Sequence, residues 1–105
     1  IFWTINLVYS TNASQLADTC TDIENYINNS ENFTKNPGQE NFVKVTELGA
    51  SSIDLTILCY MNVITYTEFS QVKQELIFKI MSAVETHKSD FAFPSRSIYI
   101  ENQDP

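Results

Sequence analysis

The chain has 105 residues, room for one domain with a single modest core. Its 43% hydrophobic and 12% aromatic content, with two glycines and three prolines, excludes a disordered segment or a fibrous repeat. Thirteen acidic against six basic residues give a net charge of −7, and the cations stand singly from Lys35 to Arg96, which argues against nucleic acid or an anionic membrane surface as partner.

No run approaches the roughly 18 apolar residues that span a bilayer, and no basic-then-apolar leader is present. The start at Ile1 inside a strand-like run reads as an excerpt from a longer polypeptide. Cys20 and Cys59 lie outside any CxxC or Cys/His spacing, and the N-x-S/T triplets at Asn12, Asn28 and Asn32 are expected by chance in a chain rich in Asn, Ser and Thr. Both observations fit a reducing cytosol.

Residues 1–10 alternate, with Trp3, Ile5, Leu7 and Tyr9 on one face, and predict a half-buried strand. Asn12 stands three residues before Gln15, as in a capping box, and Leu16, Cys20, Ile23 and Ile27 follow at helical spacing. A helix from about Ser14 to Ser30 results, with Asp18, Asp22, Asn25 and Asn29 opposite its apolar stripe. Residues 31–41 contain Asn36-Pro37-Gly38 and read as a surface loop.

Residues 42–48 and 53–60 predict a hairpin turning at Gly49–Ser52, with Ile53, Leu55, Ile57 and Cys59 pointing inward. Thr65-Tyr66-Thr67-Glu68 is a capping box of the S/T-x-x-E type. Behind it Phe69, Val72, Leu76, Ile80 and Ala83 form an apolar stripe reaching about His87. Phe91-Ala92-Phe93-Pro94 then leads into a last strand at 95–100, with a polar tail at 101–105.

The order β-α-β-β-α-β predicts an α+β fold, a ferredoxin-like sandwich with one antiparallel sheet in strand order 4-1-3-2 and two helices on one face. Residues 1–100 form the one domain. The other sheet face carries Phe2, Val8, Leu58 and Tyr60, enough apolar area to expect partial cover by a partner.

The sequence offers no catalytic constellation. The single histidine, His87, falls at the end of the second helix and reads as structural. Both cysteines sit on inward faces and read as small buried hydrophobes. The loop after the first strand, Tyr9–Ala13, lacks the CxxC of a metallochaperone, the arginine of an acylphosphatase and the glycine of a small-molecule regulatory domain. No catalytic, cofactor-binding or metal-binding residue is assigned, and no small-molecule substrate is expected.

Three segments in order, Ser51-Ser52-Ile53-Asp54-Leu55-Thr56-Ile57-Leu58-Cys59-Tyr60, the helix headed by Thr65–Glu68, and Phe91-Ala92-Phe93-Pro94-Ser95-Arg96-Ser97-Ile98-Tyr99-Ile100, resemble the C-terminal region of MscS-like mechanosensitive channels. The resemblance covers nearly the whole chain, and its most specific piece is 91–100. Phe91, Phe93 and Pro94 are the motif residues at the start of the last strand, where Pro94 bars helical continuation and biases Phe93 toward an extended conformation. The family's usual glycine at the end of the second helix is replaced by Lys88-Ser89-Asp90, and its pore helix and middle β-domain are absent from this sequence.

The resemblance implies a homo-oligomeric channel, seven-fold in family members, in the cell (inner) membrane, reached through N-terminal segments not included here. It would release ions and small solutes under membrane tension in hypo-osmotic shock, with this domain in the wall of its cytoplasmic chamber. The alternative is a ferredoxin-like ligand-sensing domain of an unrelated transporter or enzyme. On the second helix Ile77, Phe78 and Met81 turn away from the core stripe, which makes them the candidate subunit interface.

Overall fold

In the computed structural model, residues 1–63 and 65–92 are described. The elements are β1 (Phe2–Leu7), α1 (Ala13–Asn28), β2 (Phe42–Leu48), β3 (Ile53–Leu58) and α2 (Tyr66–Thr86). The three strands form an antiparallel sheet in the order β1-β3-β2. This is the α+β sheet-and-helix arrangement expected. The predicted last strand, with Phe93 and Pro94, lies outside the described residues. Leu7 bridges Phe91 on the far side of β1, with Ala92 N donating to the Asn6 carbonyl at 2.8 Å.

The alternation expected in β3 is present: Ile53, Leu55, Ile57 and the following Cys59 are all buried. Their cross-strand partners Leu7 and Val43 are buried too, with Trp3 and Ile5 half-buried beside them. Against this face pack Ile23 and Ile27 of α1 and Val72, Leu76, Ile80, Ala83 and Val84 of α2. The predicted helix stripes need small corrections. In α1 the buried face turns to include Thr19, whose hydroxyl donates to the Gln15 carbonyl at 2.7 Å, while Leu16 and Cys20 are only half-buried. Tyr9 lies beyond β1 and is half exposed rather than packed inward.

Two features depart from the expected strand and loop. Thr46 is an extra residue in β2, a bulge between Val45 and Glu47 that lets Leu48, three residues after Val45, return to the inner face opposite Ile53. Loop 31–41 is anchored by Phe33, which is 3% exposed and bridges Met61, so it is part of the core and not a purely solvated loop. On the outer sheet face Phe2, Leu58 and Phe42 stand side by side across the three strands; Phe2 is 72% exposed and the others are half-buried.

Both helix starts follow the capping logic. Asn12 and Gln15 exchange their bonds at 2.8 Å, and the Thr65 side chain accepts from Glu68 N at 3.1 Å. Gln15 does more than cap α1. Its Nε2 also donates to the carbonyls of His87 and Lys88, at 3.0 and 3.1 Å, the unpaired acceptors at the end of α2. That end is a Schellman motif: Ser89 N donates to the Val84 carbonyl and Lys88 N to the Glu85 carbonyl, with Lys88 left-handed at φ 61.

A side chain in the left-handed region costs on the order of 1 kcal/mol that glycine avoids. Lys88→Gly is therefore expected to raise unfolding stability by about 1 kcal/mol, measured by urea denaturation. Gln15→Glu keeps the acceptor for Asn12 N but sets a carboxylate against two carbonyls. It should destabilise by about 1–3 kcal/mol, although Glu is the usual capping-box residue in an isolated helix.

Candidate functional site

The candidate site is a surface, and it is built by the pitch of α2. With Leu76, Ile80 and Val84 fixed against the sheet, 100° per residue turns Ile77, Phe78 and Met81 outward. They are 39%, 58% and 52% exposed, a contiguous apolar strip on a helix whose other exposed residues after Tyr66 are Gln, Ser, Thr and Glu. Ile77 and Met81 also border a groove of about 250 Å³ whose opposite wall is Trp3, Thr4 and Ile5 of β1, with Phe91 at one end. Phe91 is thus half-buried on the core margin, while Phe78 stands clear of the groove.

Between the helices lies a charged contact that the sequence reading placed in solvent. Asp22 of α1 faces α2, with Oδ1 2.9 Å from Lys79 Nζ and Oδ2 3.4 Å from His87 Nε2. The Lys79 hydrogen bond holds the Asp22 carboxyl below its ordinary range, helped by His87 and opposed by partial burial. His87 is structural as expected, tied to Asp22 by its ring and to Gln15 by its carbonyl. Burial pushes both cysteine thiols up, away from the thiolate that nucleophilic chemistry needs. Among the described residues no group of three or more His, Cys, Asp or Glu is placed to hold a metal ion, and no helix is long and apolar enough to cross a membrane.

Residues 1–91 match the family described as mechanosensitive ion channel MscS, C-terminal. The chain belongs to the MscS family. An uncharacterized MscS family protein of Aquifex aeolicus is 35% identical over 97 residues, covering 92% of this chain and 26% of that protein. The low conductance mechanosensitive channel YnaI of Escherichia coli is 30% identical over 63 residues, 60% of this chain and 18% of that one. This MscS-family chain therefore spans about a quarter or less of the curated relatives' length.

Among solved structures, Arabidopsis thaliana MSL1 superposes with a TM-score of 0.78 at 14% identity, over 90% of this chain and 33% of that one. Helicobacter pylori MscS in its closed state gives 0.62 at 24%, over 89% and 34%. At these identities the two structures show a shared fold.

Asp22 and Lys79 are both roughly two-thirds buried at the side chain, so their pair is partly screened and worth about 0.2–1 kcal/mol. Because the folded carboxyl is depressed, this contribution is present above the unfolded Asp value and is lost as pH falls through the folded one. Asp22→Asn should lower stability by about 0.2–1 kcal/mol at neutral pH. The gap from wild type should close below about pH 4, as read from denaturation curves at several pH values.

Proposed function

We propose that this domain is the cytoplasm-facing C-terminal module of a homo-oligomeric, seven-fold mechanosensitive channel in the cell (inner) membrane. The match of residues 1–91 to the C-terminal region of an ion-channel family carries this reading. In it, membrane-spanning segments elsewhere in the subunit open under tension and release ions and small solutes in hypo-osmotic shock. The domain forms part of the wall of the chamber below the pore, and its work is assembly and filtering rather than catalysis.

The exposed strip Ile77, Phe78 and Met81 supports the assembly role. A Phe and a Met are residue types enriched in subunit contacts, and the strip is continuous with an apolar groove instead of being scattered over the surface. In a ring each copy presents the strip to its neighbour through a contact that closes by rotation.

The test is cysteine placed by Phe78→Cys or Met81→Cys in the full-length channel. Subunit ladders with a bifunctional thiol cross-linker, together with protection from a water-soluble thiol reagent, are expected. Monomer only, with both positions freely modified, would overturn the interface.

A further inference from the structure

We infer that the recess between α1 and β2 is the acceptor for Phe78 and Met81 of a neighbouring copy of this chain. The inference rests on the assembly reading above and adds the surface that the strip meets. The recess, about 490 Å³, is floored by Leu16, Cys20 and Val43 and rimmed by Ala13, Ala17 and Val45. Val45 is 42% exposed and the apolar surface continues to Leu48, 72% exposed, at the end of β2.

The two surfaces occupy opposite lateral edges of the sandwich. In the order β1-β3-β2, the recess is made from β2 and the helix above it, whereas the strip borders a groove made from β1 and α2. One surface protrudes, through Phe78; the other is hollow where alanines leave room. Unlike patches on opposite sides of one subunit generate a ring, while a self-complementary patch stops at a dimer.

Charge separates these possibilities. Glu85 lies one turn beyond Met81 on the same outward side of α2, with Gln74 beside the strip, while Lys73, one turn before Ile77, sits over the Trp3 ring at 5.8 Å on the groove side. Strip against strip would bring Glu85 to Glu85 in a parallel pairing and to Gln71 or Gln74 in an antiparallel one, with no cation opposite it in either case. The recess instead has Lys44 in its lining, 63% exposed and held only loosely by Glu24 at 3.5 Å. Strand addition to β2 is disfavoured at this place, because the outward Val43 N–H is already taken by Glu24 Oε2 at 3.0 Å. What remains open is a socket for side chains.

A native thiol makes the test direct. Cys20 is half-buried in the floor of the recess, while Cys59 is fully buried in the core. In the full-length channel, with any cysteine outside residues 1–105 replaced by serine, Phe78→Cys should form subunit dimers and higher ladders with a short bifunctional thiol cross-linker. Adding Cys20→Ala should abolish them. In that double variant, Val45→Cys on the exposed rim should restore them, which covers the case of a Cys20 too sheltered to react.

If Phe78→Cys is protected from the water-soluble reagent but pairs with neither Cys20 nor Val45→Cys, the strip has another acceptor and this inference fails while the assembly reading stands. Dimers that survive Cys20→Ala without the Val45 variant mean strip-to-strip contact and also overturn it. Free modification of Phe78→Cys defeats both readings.

Discussion

The end of α2 is held by the turn that joins β1 to α1, and the relation of the two helices depends on that junction. Gln15 closes the capping box of α1 with its oxygen and binds the last carbonyls of α2 with its nitrogen. Thr11 adds a hydroxyl contact to Ser89 at 2.7 Å, and Val8 N donates to the Asp90 carbonyl at 3.0 Å. One side-chain amide thus satisfies groups at both helix ends, without glycine at the stop. Because the junction fixes where α2 ends, it fixes the rotation of α2 about its axis, and that rotation decides which residues face outward.

Strand β3 supplies the other constraint. It is paired along both sides, so among the described residues β1 and β2 are the outer strands, and an exposed edge invites unwanted strand pairing. Each edge is blunted differently. Glu24 takes the free Val43 N–H and the bulge at Thr46 bends β2, while residues 90–92 bridge the far side of β1. With backbone pairing restricted at both edges, side-chain surfaces become the available means of contact with another copy.

How far the sequence led follows from the range of each interaction. The α1 capping box, the Thr65 cap of α2, the inward run of β3 and the α2 stripe from Val72 onward are written within a few residues, and they were legible; the Glu68 half of the second box does not form. The bulge was legible in principle, since Val43, Val45 and Leu48 break an alternating pattern by one step. Partners far apart in the chain were not: nothing near Asp22 announces Lys79 and His87, and nothing near Gln15 announces the carbonyls of α2. Phe33 looked like loop because Asn, Pro and Gly surround it, and one aromatic residue in a polar run has no period to reveal its burial. The left-handed turn at Lys88 had no glycine to mark it. The outward strip on α2 needed only helical geometry and could be named in advance, but the acceptor recess depends on α1 lying over an edge strand and needed the fold.

The acidic balance bears on how such copies could meet. Each copy of these 105 residues brings a net charge of −7, so long-range repulsion opposes close approach of identical copies, and salt weakens that repulsion without removing it at contact. Contact surfaces must then be poor in carboxylates or must set a cation against them. The recess and strip meet this condition: their centres are Phe, Met, Leu, Val and Ala, and the charges at their margins are Lys44 with its partner Glu24 on one side and Glu85 on the other. The carboxylates of Glu47 and Asp54 lie instead on the outer sheet face, where Asn6 and Ser52 each donate to Asp54 Oδ1 at 2.7 Å. In the proposed ring the apolar flanks would therefore carry adhesion, and the carboxylates outside them would stay solvated.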